Sequence, residues 1–198
     1  GQLGQAEEPR LIGPLVQSLR PKQWTKNLLV FAGVIFAQQA GDRALLLRAG
    51  AGFLAFSLLA GAVYLVNDLR DLEADRLHPK KRLRPIASGK LSPAMAWAAL
   101  PVLLAAAGAI AWWLGTGFTW VLVAYLVSNV AYSFGLKHHV ILDVFLIATG
   151  FVLRAVAGVE LLKPVAPGTQ MSSWLLVCTF FGALFLGASK RSRELANA

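Results

Sequence analysis

The stretch Asn67-Asp68-Leu69-Arg70-Asp71-Leu72-Glu73-Ala74-Asp75 closes a long apolar run and leads into Arg76-Leu77-His78-Pro79-Lys80-Lys81-Arg82-Leu83-Arg84-Pro85. Asn67, Asp71 and Asp75 are spaced by four, and Asp68 and Asp71 by three, so on a helix these side chains share one face. Carboxylates crowded in this way repel one another, and at the C-terminal end of a helix the macrodipole adds to the penalty. Such an arrangement requires a cation. An all-oxygen ligand set suits Mg2+, which keeps the rest of its shell for water and phosphate oxygens. The basic run that follows supplies side chains for the phosphate oxygens a metal leaves free. The plainer reading is a solvated mixed-charge cluster at an interface. Against it stands the position of the cluster at the end of an apolar span.

The surrounding chain reads as membrane protein. Its 198 residues are 57% hydrophobic and 15% charged, with mean hydropathy +0.59, which excludes an ordinary soluble domain. The single cysteine, Cys178, lies in an apolar run, which excludes a disulfide framework and a cysteine metal site. The net charge of +9 is concentrated in a few loops. That fits membrane topology and anionic phosphates rather than nucleic acid. The first ten residues lack the features of a signal peptide, and the absence of an initiator Met points to a clipped or engineered start.

The predicted organisation is a polar to weakly amphipathic lead over residues 1–20, followed by one transmembrane catalytic domain over 21–198. Apolar runs predict six spans, near 27–39, 45–68, 92–114, 118–134, 140–159 and 173–187. Pro21 can open a helix, and Ser92-Pro93 reads as a cap with a first-turn proline. Of the 19 Lys and Arg residues, fifteen fall on one side of this topology. Arg43, Arg48 and Lys163 fall on the other, and Arg154 lies within a span. The asymmetry predicts that the N-terminus and the acidic motif are cytoplasmic. Lys22 and Lys26 have two readings, snorkelling beside Trp24 or contact with a substrate.

Ionisable residues inside predicted spans are costly and mark function or a polar interior, and two stand out. Asp143 is near the cytoplasmic end of the fifth span, at the predicted depth of the acidic motif. Arg154 follows eleven residues later on the same face, roughly 16 Å along the axis, too far to pair with it directly. A salt bridge to another helix is the structural reading for Arg154. Tyr132 and Lys137 flank the preceding loop and read either as interfacial markers or as site residues. His138 and His139 are adjacent and diverge, and His78 has no partner at metal-ligand spacing. No phosphate-binding glycine loop and no nucleophile-base pair is present.

Asn67-Asp68-x-x-Asp71-x-x-x-Asp75, followed by Arg84-Pro85-Ile86-Ala87-Ser88-Gly89, resembles the first signature of the UbiA superfamily of intramembrane prenyltransferases. Within that superfamily, Leu19-Arg20-Pro21-Lys22-Gln23-Trp24-Thr25-Lys26-Asn27 and the stretch from Tyr132 through Lys137 and Asp143 to Arg154 are similar to the decaprenyl-phosphate phosphoribosyltransferase branch (5-phosphoribosyl-monophospho-decaprenol synthases). The superfamily fold implies nine transmembrane helices around a cavity, of which this chain supplies six, an incomplete set. Where prenyltransferases of the superfamily carry a second acidic pair, this chain has Lys190-Arg191. Cations there suit the extra phosphate of a phosphorylated sugar; solvated inside-positive charge is the alternative.

The resemblance implies a cell-membrane enzyme of a cell-wall arabinan precursor pathway. It would transfer 5-phosphoribosyl from 5-phosphoribosyl 1-diphosphate to decaprenyl (polyprenyl) phosphate with Mg2+, releasing diphosphate. On this reading Asn67, Asp68, Asp71 and Asp75 hold the metal. Asp71, Asp75 and Asp143 are catalytic. Lys22, Lys80, Arg82, Arg84, Tyr132, Lys137, Lys190 and Arg191 contact substrate. A homo-oligomer is compatible with the sequence. The alternatives are a prenyltransferase acting on an aromatic acceptor, and a transporter with a cation site. The transporter is disfavoured because transporter sites lie near the midplane on broken helices.

Overall fold

The computed structural model describes residues 12–38, 41–133 and 140–196; for 140–143 and 190–196 it describes the backbone alone. The elements are all helical. Helix α1 (Ile12–Ser18) is followed by a 3-10 segment (Pro21–Phe31), α2 (Ala32–Phe36), α3 (Arg43–Arg70), α4 (Leu72–Leu77) and a 3-10 turn (Lys81–Leu83). Four long helices complete the chain: α5 (Pro93–Leu114), α6 (Thr116–Ser133), α7 (Val140–Glu160) and α8 (Ser173–Ala196). No strand occurs among the described residues.

The axis of the bundle is α3, about 42 Å long at 1.5 Å per residue. Its first turn is capped by the Asp42 carboxylate, which accepts from the Ala44 and Leu45 amides at 2.8 and 3.3 Å. The 3-10 segment, α5, α6 and α7 pack around it. Phe56 sits at the centre, its ring edge-on to Phe118 at 5.9 Å and to Tyr125 at 5.1 Å. A second apolar cluster joins Leu19, Ala62 and Leu65 to Ile86, Leu91, Ala96 and Leu100. It places the loop after α4 against the C-terminal end of α3.

Ser92 and Pro93 behave as expected: Ser92 Oγ accepts from the Met95 amide at 3.3 Å and Pro93 opens α5. The first predicted span is different. Residues 21–36 form a 3-10 segment and one short α-helix rather than a long α-helix. This segment makes a backbone-to-backbone contact with α7. A side chain at Gly33 would run into the Gly158 carbonyl, and one at Gly158 into the Val30 carbonyl. Glycine at both positions lets the two segments touch. Among the described residues, α3 and α5 are the helices long and apolar enough to cross a bilayer by length and composition, so the expected six spans reduce to two that meet that criterion.

At the end of the bundle that holds the start of α3, Arg48 is buried. Its Nε donates to the Leu161 carbonyl at 2.8 Å and its Nη2 to the Leu114 carbonyl at 2.5 Å. One guanidinium thereby satisfies the terminal carbonyls of α5 and α7, where a cation also meets the negative end of each helix. Replacing Gly158 by Ala is expected to destabilise the bundle by about 1–3 kcal/mol through overpacking. A lower apparent melting temperature of the full-length protein in detergent would register it; an unchanged one would refute the contact.

Candidate functional site

The acidic motif does not lie on one uninterrupted helix. Asp71, at φ −92° and ψ 10°, ends α3 and begins α4, although the Asp71 and Asp75 amides still donate to the Asn67 and Asp71 carbonyls at 2.9 and 2.8 Å. The acids divide into two sets. Asp68 and Asp75, seven residues and almost two whole turns apart, are 2% and 1% exposed. Asn67 and Asp71 are half-buried, and their side chains make no hydrogen bond or ion pair among the described residues.

Arg84 joins the buried pair. Its Nη1 donates to Asp68 Oδ1 at 3.1 Å and to Asp75 Oδ2 at 2.5 Å. Asp68 Oδ1 also accepts from Arg20 Nη2 at 2.6 Å, and Lys81 Nζ lies 3.9 Å from Asp75 Oδ1. Arg20 stacks over the Tyr64 ring, 4.5 Å from its centroid, and adopts the left-handed backbone conformation at φ 54°. A non-glycine residue adopts that conformation where contacts hold it, here the ion pair and the ring. Arg84 is placed by its loop. Ile86 and Leu91 are fully buried, the Leu91 amide closes the loop on the Pro85 carbonyl at 2.9 Å, and Gly89 turns it at φ 79°.

A second polar group lies deeper in the bundle. Arg154, 7% exposed, donates from Nε to Asn27 Oδ1 at 2.7 Å, from Nη1 to the Gly150 carbonyl at 2.7 Å and from Nη2 to the Tyr125 hydroxyl at 2.9 Å. Asn27 in turn donates to Ser57 Oγ at 3.0 Å. The expected salt bridge is not formed among the described residues. Neutral oxygens and the faces of Tyr125, Phe56 and Phe151 surround the guanidinium instead, 4.8 to 5.8 Å away.

Of the residues singled out in the sequence, the structure brings Arg84 onto Asp68 and Asp75. Lys22, Lys80 and Arg82 are exposed, and Tyr132 is half-buried. Lys137 lies outside the described residues. Asp143 is on α7 and Lys190 and Arg191 are on α8, with side chains outside the described set. Sequence reasoning passed over Arg20, Tyr64, Asn27, Ser57 and Tyr125 as site residues. The seven-residue spacing of Asp68 and Asp75 was a readable signal for a pair distinct from Asn67 and Asp71. His78 orders the loop, its Nδ1 accepting from the Lys80 and Lys81 amides at 3.1 and 3.3 Å.

Oxygen donors and adjacent guanidinium groups fit a metal-bound polyanion. Among the described residues no three acidic, His or Cys side chains converge as a ligand set, because Arg84 stands between Asp68 and Asp75. The donors open to Mg2+ are those of Asn67 and Asp71, with substrate oxygens to complete the shell. A cleft of about 560 Å3 lies at the other end of the bundle, between α2 and the 166–170 loop. No ionisable side chain lines it, and it is remote from this chemistry.

These features describe a helical bundle with a buried acid–arginine cluster at one end of its central helix. The chain belongs to the UbiA prenyltransferase family, whose model matches residues 27–191. It is 41% identical over 192 residues to the decaprenyl-phosphate phosphoribosyltransferase of Mycolicibacterium smegmatis, covering 95% of this chain and 59% of that protein. It is 38% identical over 185 residues to the enzyme of the same name from Corynebacterium glutamicum, covering 91% and 54%. The chain thus spans between about half and three-fifths of the length of these curated relatives. In structure it is similar to a UbiA homolog from Archaeoglobus fulgidus bound to GPP and Mg2+, with a TM-score of 0.70 and 24% identity over 86% of this chain and 60% of that one. That likeness carries the fold.

Replacing Arg154 by Leu leaves the Asn27 Oδ1 and the Tyr125 hydroxyl without the donor that satisfies them, and is expected to destabilise the bundle by about 2 kcal/mol or more. Tyr125→Phe removes one hydrogen bond and is expected to cost about 1 kcal/mol. Thermal unfolding of the full-length protein in detergent should place the two in that order.

Proposed function

We propose that this chain is part of an enzyme that transfers 5-phosphoribosyl from 5-phosphoribosyl 1-diphosphate to decaprenyl (polyprenyl) phosphate and releases diphosphate. The observation that carries this reading is the 41% identity, over 95% of the chain, to a protein named for that acceptor and that transferred group. The geometry supports it physically. A diphosphate leaving group needs its charge neutralised, and the site joins oxygen donors to two arginines. Asn67 and Asp71 would hold Mg2+, which supplies charge neutralisation at the leaving group. Arg20 and Arg84 donate to phosphate oxygens, and the exposed Lys22, Lys80 and Arg82 raise the local concentration of anions. The acceptor is already an anion, so no strong general base is needed. The carbon that changes partners takes on oxocarbenium character, as in other glycosyl transfers. The residues therefore act by positioning and electrostatics.

Asp143 would orient ribose hydroxyls or a lysine, and Lys137, Lys190 and Arg191 would meet the remaining phosphate. The basic asymmetry of the sequence supports a reading in which the acidic motif faces the cytoplasm, with the isoprenoid tail in the bilayer. A cell-wall precursor is the corresponding product.

Membranes carrying the full-length protein, given labelled 5-phosphoribosyl 1-diphosphate, polyprenyl phosphate and Mg2+, are expected to move label into the lipid phase. Label entering only from a prenyl diphosphate would refute the assignment in favour of prenyl transfer. Asp71→Asn is expected to lower turnover about a hundredfold or more with unchanged membrane insertion, and chelation of Mg2+ is expected to abolish it.

A further inference from the structure

The motif presents four oxygen-bearing side chains, yet they occupy two different electrostatic settings. Asp68 and Asp75 are almost wholly buried and already compensated. Asp68 shares one oxygen between Arg20 and Arg84, and Asp75 faces Arg84 and Lys81. A divalent ion bound to either acid would sit within a few ångströms of a guanidinium, where like charges in a partly buried site repel strongly. The arginines are only partly used. Arg84 spends Nη1 on the two acids, and Arg20 spends Nη2 on Asp68. Nε and Nη2 of Arg84, and Nε and Nη1 of Arg20, have no hydrogen-bond partner among the described residues. Both arginine side chains are about 30% exposed. A fork of N–H donors fixed by a buried acid on one side and open on the other is suited to bidentate capture of a phosphate.

We infer that Asp68 and Asp75 are positioning residues rather than metal ligands: they hold Arg20 and Arg84 as a preformed clamp for a phosphate or diphosphate group. This assigns Arg20 to the substrate-binding machinery and leaves the metal to Asn67 and Asp71. The gain is preorganisation. Two flexible cations are ordered before the ligand arrives, so less freedom is lost on binding. The loop that carries Arg84 is itself anchored by Ile86 and Leu91 in the second apolar cluster, so the clamp is tied to the core. The inference rests on the reading of the site as one for a metal-bound diphosphate.

The test uses the full-length protein in detergent with two probes, Mn2+ by electron paramagnetic resonance and inorganic diphosphate by calorimetry at saturating Mg2+. Asp75→Asn is expected to bind Mn2+ within about twofold of wild type and diphosphate about tenfold more weakly. Asp71→Asn is expected to lose Mn2+. Arg84→Lys and Arg20→Lys, which keep the charge and lose the fork, are each expected to weaken diphosphate about tenfold. Because Asp75 acts through Arg84, the Asp75→Asn, Arg84→Lys double variant should bind diphosphate no more weakly than Arg84→Lys alone. Loss of Mn2+ in Asp75→Asn, or full additivity in the double variant, overturns the inference. If Asp75→Asn does not fold, the two lysine variants decide it: wild-type diphosphate affinity in both overturns it. A wild-type protein that binds neither probe refutes the diphosphate reading itself, a different failure.

Discussion

The single Nη1 of Arg84 set between Asp68 and Asp75 is the contact on which the end of the bundle depends. It links α3, α4 and the following loop, and through Asp68 it reaches Arg20 on the N-terminal segment. Two carboxylates less than 3% exposed need partners there, because burial of a charge is tolerated when it is paired and hydrogen-bonded. Removal of one member strands the others. The acids keep the arginines in place, and the arginines allow the acids to be buried.

The same logic operates along α3 with different partners. At the start of the helix Arg48 satisfies the carbonyls that end α5 and cap α7. In the interior Arg154 uses an amide, a carbonyl, a hydroxyl and aromatic faces. Arginines along α3 are thus held by acids, by helix ends and by neutral oxygens. Near the acidic motif they lie beside Asn67 and Asp71, whose side-chain oxygens make no hydrogen bond or ion pair among the described residues.

Much of this was legible in the chain. The long apolar run ending in Asn67-Asp68 announced α3, Ser92-Pro93 announced α5, and the family signature led to the UbiA family that the comparisons establish. What sequence periodicity could not supply was the partner of each charge. Spacing by three and four grouped all four motif residues on one face, whereas the break at Asp71 and the reach of Arg84 from nine residues onward separate them. Nor did apolar length distinguish a regular α-helix from the 3-10 segment at Pro21–Phe31, or reveal the close approach of Gly33 and Gly158, on segments far apart in the chain. Arg154 looked like half of a salt bridge, since neutral acceptors on distant helices leave no charge signature.

The reach of Arg48 has a consequence for assembly. Its two carbonyl partners lie 66 and 113 residues further along the chain, and Asn27 waits 127 residues for Arg154. Helix formation is local and rapid, but these polar contacts are not, and loop closure must precede them. During synthesis α3 therefore emerges with a guanidinium that no neighbour yet satisfies; its first carbonyl partner comes with the end of α5 and its second with the end of α7. A chain interrupted before residue 161 would carry that arginine half-satisfied, a lasting mark of incomplete assembly written into the outer end of its central helix.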